Sequence, residues 1–223
     1  MPQHDVILFR DGEISRDELM RRHQDCACEN TPRYDEGFGR VDDGEEIGFF
    51  VVSPRHCDIR KESGDPRLWA PKPKDLRRAT RDGGLSVYRV QVAQTSELRQ
   101  AAKKARGGQE FISDQSIVGV VAWHSITTVA VRSIRGEKGD RLCVIDTPGR
   151  ADPEEGLCAE PSHADIAWSL SSNGVGEDEF RERRQAIEER MKSAFARHGK
   201  VVQITDFTAA DVTDYLPDRM KDT

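Results

Sequence analysis

The sequence predicts an α+β fold: a largely antiparallel sheet with a few packed helices, one of them long, amphipathic and near the C-terminus. Three observations predict it. Short apolar runs rich in β-branched residues recur along the chain, and such residues suit a pleated, half-buried surface. Helical patterning is confined to stretches near the start, the middle and the end. The predicted strands follow one another with few helices between them, which favours antiparallel neighbours over repeated βαβ units.

The elements follow in order. Val6-Ile7-Leu8-Phe9 is a short apolar run closed by Asp11-Gly12, a strand and turn. Ser15-Arg16-Asp17-Glu18 matches a capping box and starts a short helix through about His23. Residues 24–46, rich in Asp, Glu and Gly, read as loop, and Ile47 to Val52 is a second strand. A long polar loop follows at about 53–84, with Pro54, Pro66, Pro71, Pro73 and Gly83-Gly84. Leu85 to Val92 is a strand, and Thr95-Ser96 caps a helix running to about Arg106, stopped by Gly107-Gly108. Ile117 to Trp123, Thr127 to Ile134 and Leu142 to Thr147 read as strands, the last two joined as a hairpin across Arg135 to Asp140. His163 to Trp168 adds another. Gly176 to His198 is the clearest helix, with Phe180, Ile187, Met191 and Phe195 as its apolar stripe. Gly199 is its C-cap, Val201 to Ile204 is a strand, and a short helix from about Ala209 to Leu216 closes the pattern.

The 223 residues fit a single domain, with the loop at 53–84 marking a boundary between a small N-terminal subdomain and the main sheet. A chain of this size buries roughly 70% of its unfolded surface and needs no covalent staple to fold. Charged residues make up 33% and the formal net charge is −6, which argues against non-specific nucleic-acid binding by the whole chain. No apolar run approaches the length of a membrane span, so no membrane partner is expected. Met1-Pro2-Gln3-His4-Asp5 lacks the basic and apolar regions of a secretory signal, which predicts a cytoplasmic protein. Five cysteines, an odd and scattered count, suit reduced thiols better than a disulfide framework.

Cys26, Cys28 and the pair His56-Cys57, with His23 nearby, supply ligand types for a tetrahedral zinc. Closure by four protein ligands would make such a zinc structural. The Cys-x-Cys spacing is less suited to it than Cys-x-x-Cys, and the competing reading is loop thiols plus a core cysteine. Asp146-Thr147-Pro148-Gly149, after an apolar strand, resembles the D-x-x-G element of GTPases. The partner motif, a glycine-rich loop ending in Gly-Lys-Ser/Thr, is missing from the sequence: the Gly-Lys pair, Gly199-Lys200, is followed by Val201. A strand end with a Pro-Gly turn is therefore the better reading.

The stretch from Arg60 to Arg81 is basic. Arg60, Lys61, Arg67, Arg77, Arg78 and Arg81, with Trp69 among them, could hold phosphates and stack a base, or meet an acidic protein surface. The competing reading is a solvated loop that balances the acidic runs elsewhere. His56, Asp58, His124 and His163 are the catalytic candidates: His124 is followed by Ser125, and Asp165 lies two residues after His163. No Gly-x-Ser-x-Gly elbow supports a nucleophile. The expectation is a soluble intracellular module that binds another macromolecule, a protein first and nucleic acid through the 60–81 loop second. The alternative is a hydrolase or nucleic-acid-processing enzyme built on those histidines and aspartates.

Overall fold

The computed structural model describes residues 38–53, 84–106, 119–149, 159–170 and 175–203, together with residues 26, 29, 151 and 153. Along the chain these form β1 (Glu46–Ser53), β2 (Leu85–Arg89), α1 (Thr95–Arg106), β3 (Gly119–Thr127), α2 (Thr128–Arg132), a 3-10 turn (Glu137–Gly139), β4 (Arg141–Asp146), β5 (His163–Ser169), α3 (Glu177–His198) and β6 (Lys200–Gln203). The six strands make one sheet in the order β4-β5-β2-β1-β3-β6, and every neighbouring pair is antiparallel. The expected α+β class with a largely antiparallel sheet is what the protein has.

Strand alternation sorts the side chains onto two faces. Ile47, Phe49 and Val51 of β1 join Val87, Ala122, Ile126, Leu142, Val144, Ile166 and Trp168 in the main core. The long helix α3 covers this face with Ile187, Met191 and Phe195, and α2 adds Val131. Phe180, half-buried at the start of the same stripe, stacks beside Trp168 with ring centroids 5.2 Å apart. The other face carries the alternate residues, among them Gly48, Phe50, Tyr88, Trp123, His163 and Asp165. The helix α1 lies against β1 and β3. Its Gln100 reaches Glu160, as does Tyr88, so α1 sits on this second face.

The connections are less local than the pairing suggests. β2 and β3 flank β1 and run parallel to each other, joined through α1. β3 and β4 are parallel and lie apart in the sheet, joined through α2. β5 and β6 are joined through α3 across β2, β1 and β3. β1 and β2, on either side of residues 54–83, are direct neighbours, pairing Ile47 with Arg89 and Gly48 with Tyr88.

The stretch 127–134 is not a strand. β3 ends at Thr127 and α2 follows, with Thr128 and Val131 buried and Val129 half exposed. Burial at three-residue spacing against the core outweighs the β-branched composition, since strand propensity yields to packing context. The expected hairpin across 135–140 is reduced to one antiparallel bridge, Arg135 to Arg141: the segment turns through Lys138 and Gly139 at positive φ, but no strand precedes it and β4 pairs with β5. The strand at 6–9 and the helices at 15–23 and 209–216 fall outside the described residues. No described helix is long and apolar enough to cross a membrane.

Candidate functional site

The Asp146 motif is part of the scaffold. Asp146 ends β4 and is buried. It accepts from Arg89 Nη1 at 3.0 Å and from the Gly39 amide at 3.0 Å, and Arg89 also forks onto Glu45. Burial pushes the Asp146 carboxyl up from its ordinary range, and the Arg89 guanidinium and Gly39 N–H oppose that. Each group here has a partner, so the motif closes one end of the sheet.

His163 belongs to a polar cluster that gathers residue types suited to catalysis. Its Nδ1 lies 2.7 Å from the Thr147 carbonyl and 3.0 Å from Thr147 Oγ1. Thr147 Oγ1 donates to Asp165 Oδ2 at 2.9 Å. The Tyr88 ring stands edge-on to His163 at 5.5 Å, and its hydroxyl donates to Glu160 Oε1 at 3.3 Å. Burial, then Glu160, Glu97 and Asp165, hold the Tyr88 phenol well above its ordinary pKa, so it stays a donor. The order of contacts is histidine, threonine, aspartate. In a nucleophilic triad the carboxylate touches the imidazole and holds its tautomer. Here the carboxylate touches the hydroxyl, and Nδ1 is spent on the Thr147 carbonyl. The cluster fastens the end of β4 to the start of β5, in a contact order that differs from a triad's.

His124 is a core residue. It is 3% exposed and lies between Phe49 and Phe195, with ring centroids 5.7 and 5.1 Å away. Burial lowers its pKa from 6.5 to about 4, so it is neutral near pH 7. Gly199 makes room for it: a Cβ there would stand 2.2 Å from His124 Nε2. That close approach is why glycine ends α3. Its φ of −72° needs no left-handed freedom, unlike the glycine cap read from the sequence. Ser125, next to His124, points to the opposite face and donates to Glu46, so the two do not act together.

Cys26 forms a disulfide with Cys143 of β4, 117 residues away, where the sequence suggested reduced thiols. Zinc binds thiolates, and a sulfur in a disulfide is not one. Cys26, Cys143 and Glu29 are the described residues whose ligand-type atoms cluster, within 4.8 Å. Glu29 Oε1 is held there by the Val144 amide at 2.6 Å and Arg132 Nε at 3.0 Å. Cys28, His56 and Cys57 of the zinc set lie outside the described residues. So do Asp58 and the basic residues Arg60, Lys61, Arg67, Trp69, Arg77, Arg78 and Arg81.

The sequence reading missed a basic groove between the C-terminal half of α3 and the turn after α2. It is a shallow cavity of about 380 Å³ lined by Ser133, Ile134, Arg135, Glu189, Arg190, Ser193, Ala194, Arg197 and His198. Ile134 is buried and Ala194 half-buried, which gives the groove an apolar floor. Arg190 Nη1 donates to the Arg135 carbonyl at 2.6 Å, which pins its guanidinium across the groove. Among the described residues, Arg135, Arg190 and Arg197 hold no carboxylate, whereas Arg181 and Arg184 each hold one and Arg89, Arg132 and Arg183 two. Glu189 pairs outward with Lys192 at 3.7 Å. The spacing 190, 194, 197 on a helix was a visible signal. Its partner Arg135 is too distant in sequence to have been matched to it.

Comparison of the chain with protein-family models, with curated proteins and with solved structures finds no match.

Proposed function

We propose that this protein acts by binding another macromolecule, and that the groove between α2 and α3 is part of its binding surface. The observation that carries the reading is the set of three arginines around one groove that hold no carboxylate among the described residues, Arg135 and Arg190 spending only Nη1 on backbone carbonyls, in a chain whose net charge is −6. With acidic residues in excess, arginines gathered without a described carboxylate partner are available to an outside anion. An exposed guanidinium at a rim steers association and fixes register, and it contributes most when a partner removes water from it. The helix end adds nothing against this: cations in the last turn of α3 also complement its dipole, but that effect does not require Arg135 to face them.

The enzyme alternative draws on the cluster of His163, Thr147 and Asp165. Its contact order is that of a structural lock, so the binding reading is preferred.

A photo-crosslinking residue in place of Ser193, exposed within the groove, tests the proposal in living cells. Discrete adducts are expected, and they should vanish when Arg190→Glu and Arg197→Glu are combined. Adducts that persist unchanged in the charge-reversed protein, or no adducts at all, would remove the groove from any interface.

A further inference from the structure

We infer that the occupant of this groove is an acidic segment of a partner protein, with an apolar side chain set between its carboxylates. The inference rests on the binding reading above and names the chemistry of the partner.

Four features of the groove select that chemistry. Its hooks are guanidinium groups, whose planar forks match carboxylates and phosphates. Its serines offer little: Ser133 Oγ donates to the Ala130 carbonyl and Ser193 Oγ to the Glu189 carbonyl. The ligand's polar contacts are therefore to charged groups at the rim, while Ile134 and Ala194 below present apolar surface that a hydrocarbon side chain would cover. Among the described residues no Phe, Tyr or Trp lines the groove, and its one ring is the small imidazole of His198, so a nucleobase finds a poor stacking platform. Finally, Glu189 stands at the rim, with its side chain 54% exposed, inside a protein of net charge −6. That arrangement penalises the dense, continuous charge of a nucleic-acid backbone more than the spaced charges of an acidic peptide.

Fluorescence anisotropy on the full chain separates the outcomes. The probes are a short labelled peptide of Glu and Asp around a central Leu, the same peptide with Gln and Asn, and a labelled single-stranded oligonucleotide. The acidic peptide is expected to bind and the amide peptide not to. Combining Arg190→Glu with Arg197→Glu should weaken the acidic peptide by about tenfold or more, the scale of lost charge complementarity. Glu189→Gln should tighten it severalfold. Arg197→Gln alone, at an exposed position, serves if the double variant does not fold. Binding of the oligonucleotide in preference to the peptide, lost on charge reversal, would overturn the acidic-segment inference and leave the binding reading standing. If neither probe binds, or if charge reversal changes nothing, the inference and the groove reading fall together.

Discussion

At the scale of single residues, His124 and His163 look alike in the sequence, each on a strand beside a hydroxyl or an acid. The sheet separates them. His124 alternates with Ala122 and Ile126, which face the core, while His163 is out of phase with Ala164 and Ile166 and faces the other way. That parity was legible in the sequence. What was not legible is Gly199, which sits 75 positions later and brings α3 close over His124. The buried imidazole makes stability depend on pH. The unfolded histidine, with a pKa of 6.5, takes up a proton before the folded one, whose pKa is about 4. This contribution is fully present above about 6.5 and is lost as pH falls toward about 4, by up to about 3 kcal/mol. Urea denaturation at a series of pH values should show that decline. A His124→Gln variant, though less stable overall at neutral pH, should show a shallower one. Equal slopes would mean that His124 remains protonatable in the fold.

Among the elements, β1 sits at the centre of the sheet and depends on one missing side chain. A Cβ on Gly48 would stand 2.3 Å from Trp123 Cζ2. The indole lies across the glycine and packs edge-on against Phe50, with centroids 4.9 Å apart. Gly48→Ala should therefore overpack this face and destabilise the protein by about 1–3 kcal/mol, seen as a lower thermal midpoint. An unchanged midpoint would show that the indole can swing away. The strands and the two longer helices could be read from periodicity because their burial follows the simple periods of strand and helix. α2 could not, since Thr128, Val129 and Val131 are β-branched and the helix is too short for a helical period to show. The stripe on α3 was visible through its apolar members alone. Arg183 lies on the same buried side, and its guanidinium forks onto Asp140 just before β4. A charge read from sequence is placed on the solvent face, and only its distant partner reveals the exception.

For the whole molecule, the sequence captured the class and most strands but not the order in which the strands assemble. Antiparallel neighbours were expected to be successive in the chain. Instead three helical connections carry the chain across the sheet, and among the six described strands only β1 with β2 and β4 with β5 are neighbours in both sequence and space. The same non-local arrangement explains why the groove went unseen: Arg135 and Arg190 meet only because α2 and α3 share one face. The zinc reading drew on residues near one another in the chain, yet the bond that Cys26 makes reaches 117 residues to Cys143.

That bond gives the chain an unusual tolerance of being cut. β1 lies before the segment 54–83, and its sheet neighbours β2 and β3 lie after it. A protease cutting within that basic segment would yield two pieces, one holding Cys26 and β1 and the other holding Cys143 and the remaining strands. The pieces would remain covalently joined, with the central strand of the sheet supplied by the smaller. Cleavage at a site-specific protease sequence inserted among residues 54–83 should leave one band on a non-reducing gel and two after reduction. Separation of the pieces without a reductant would show that Cys26 and Cys143 are not bonded in the purified protein.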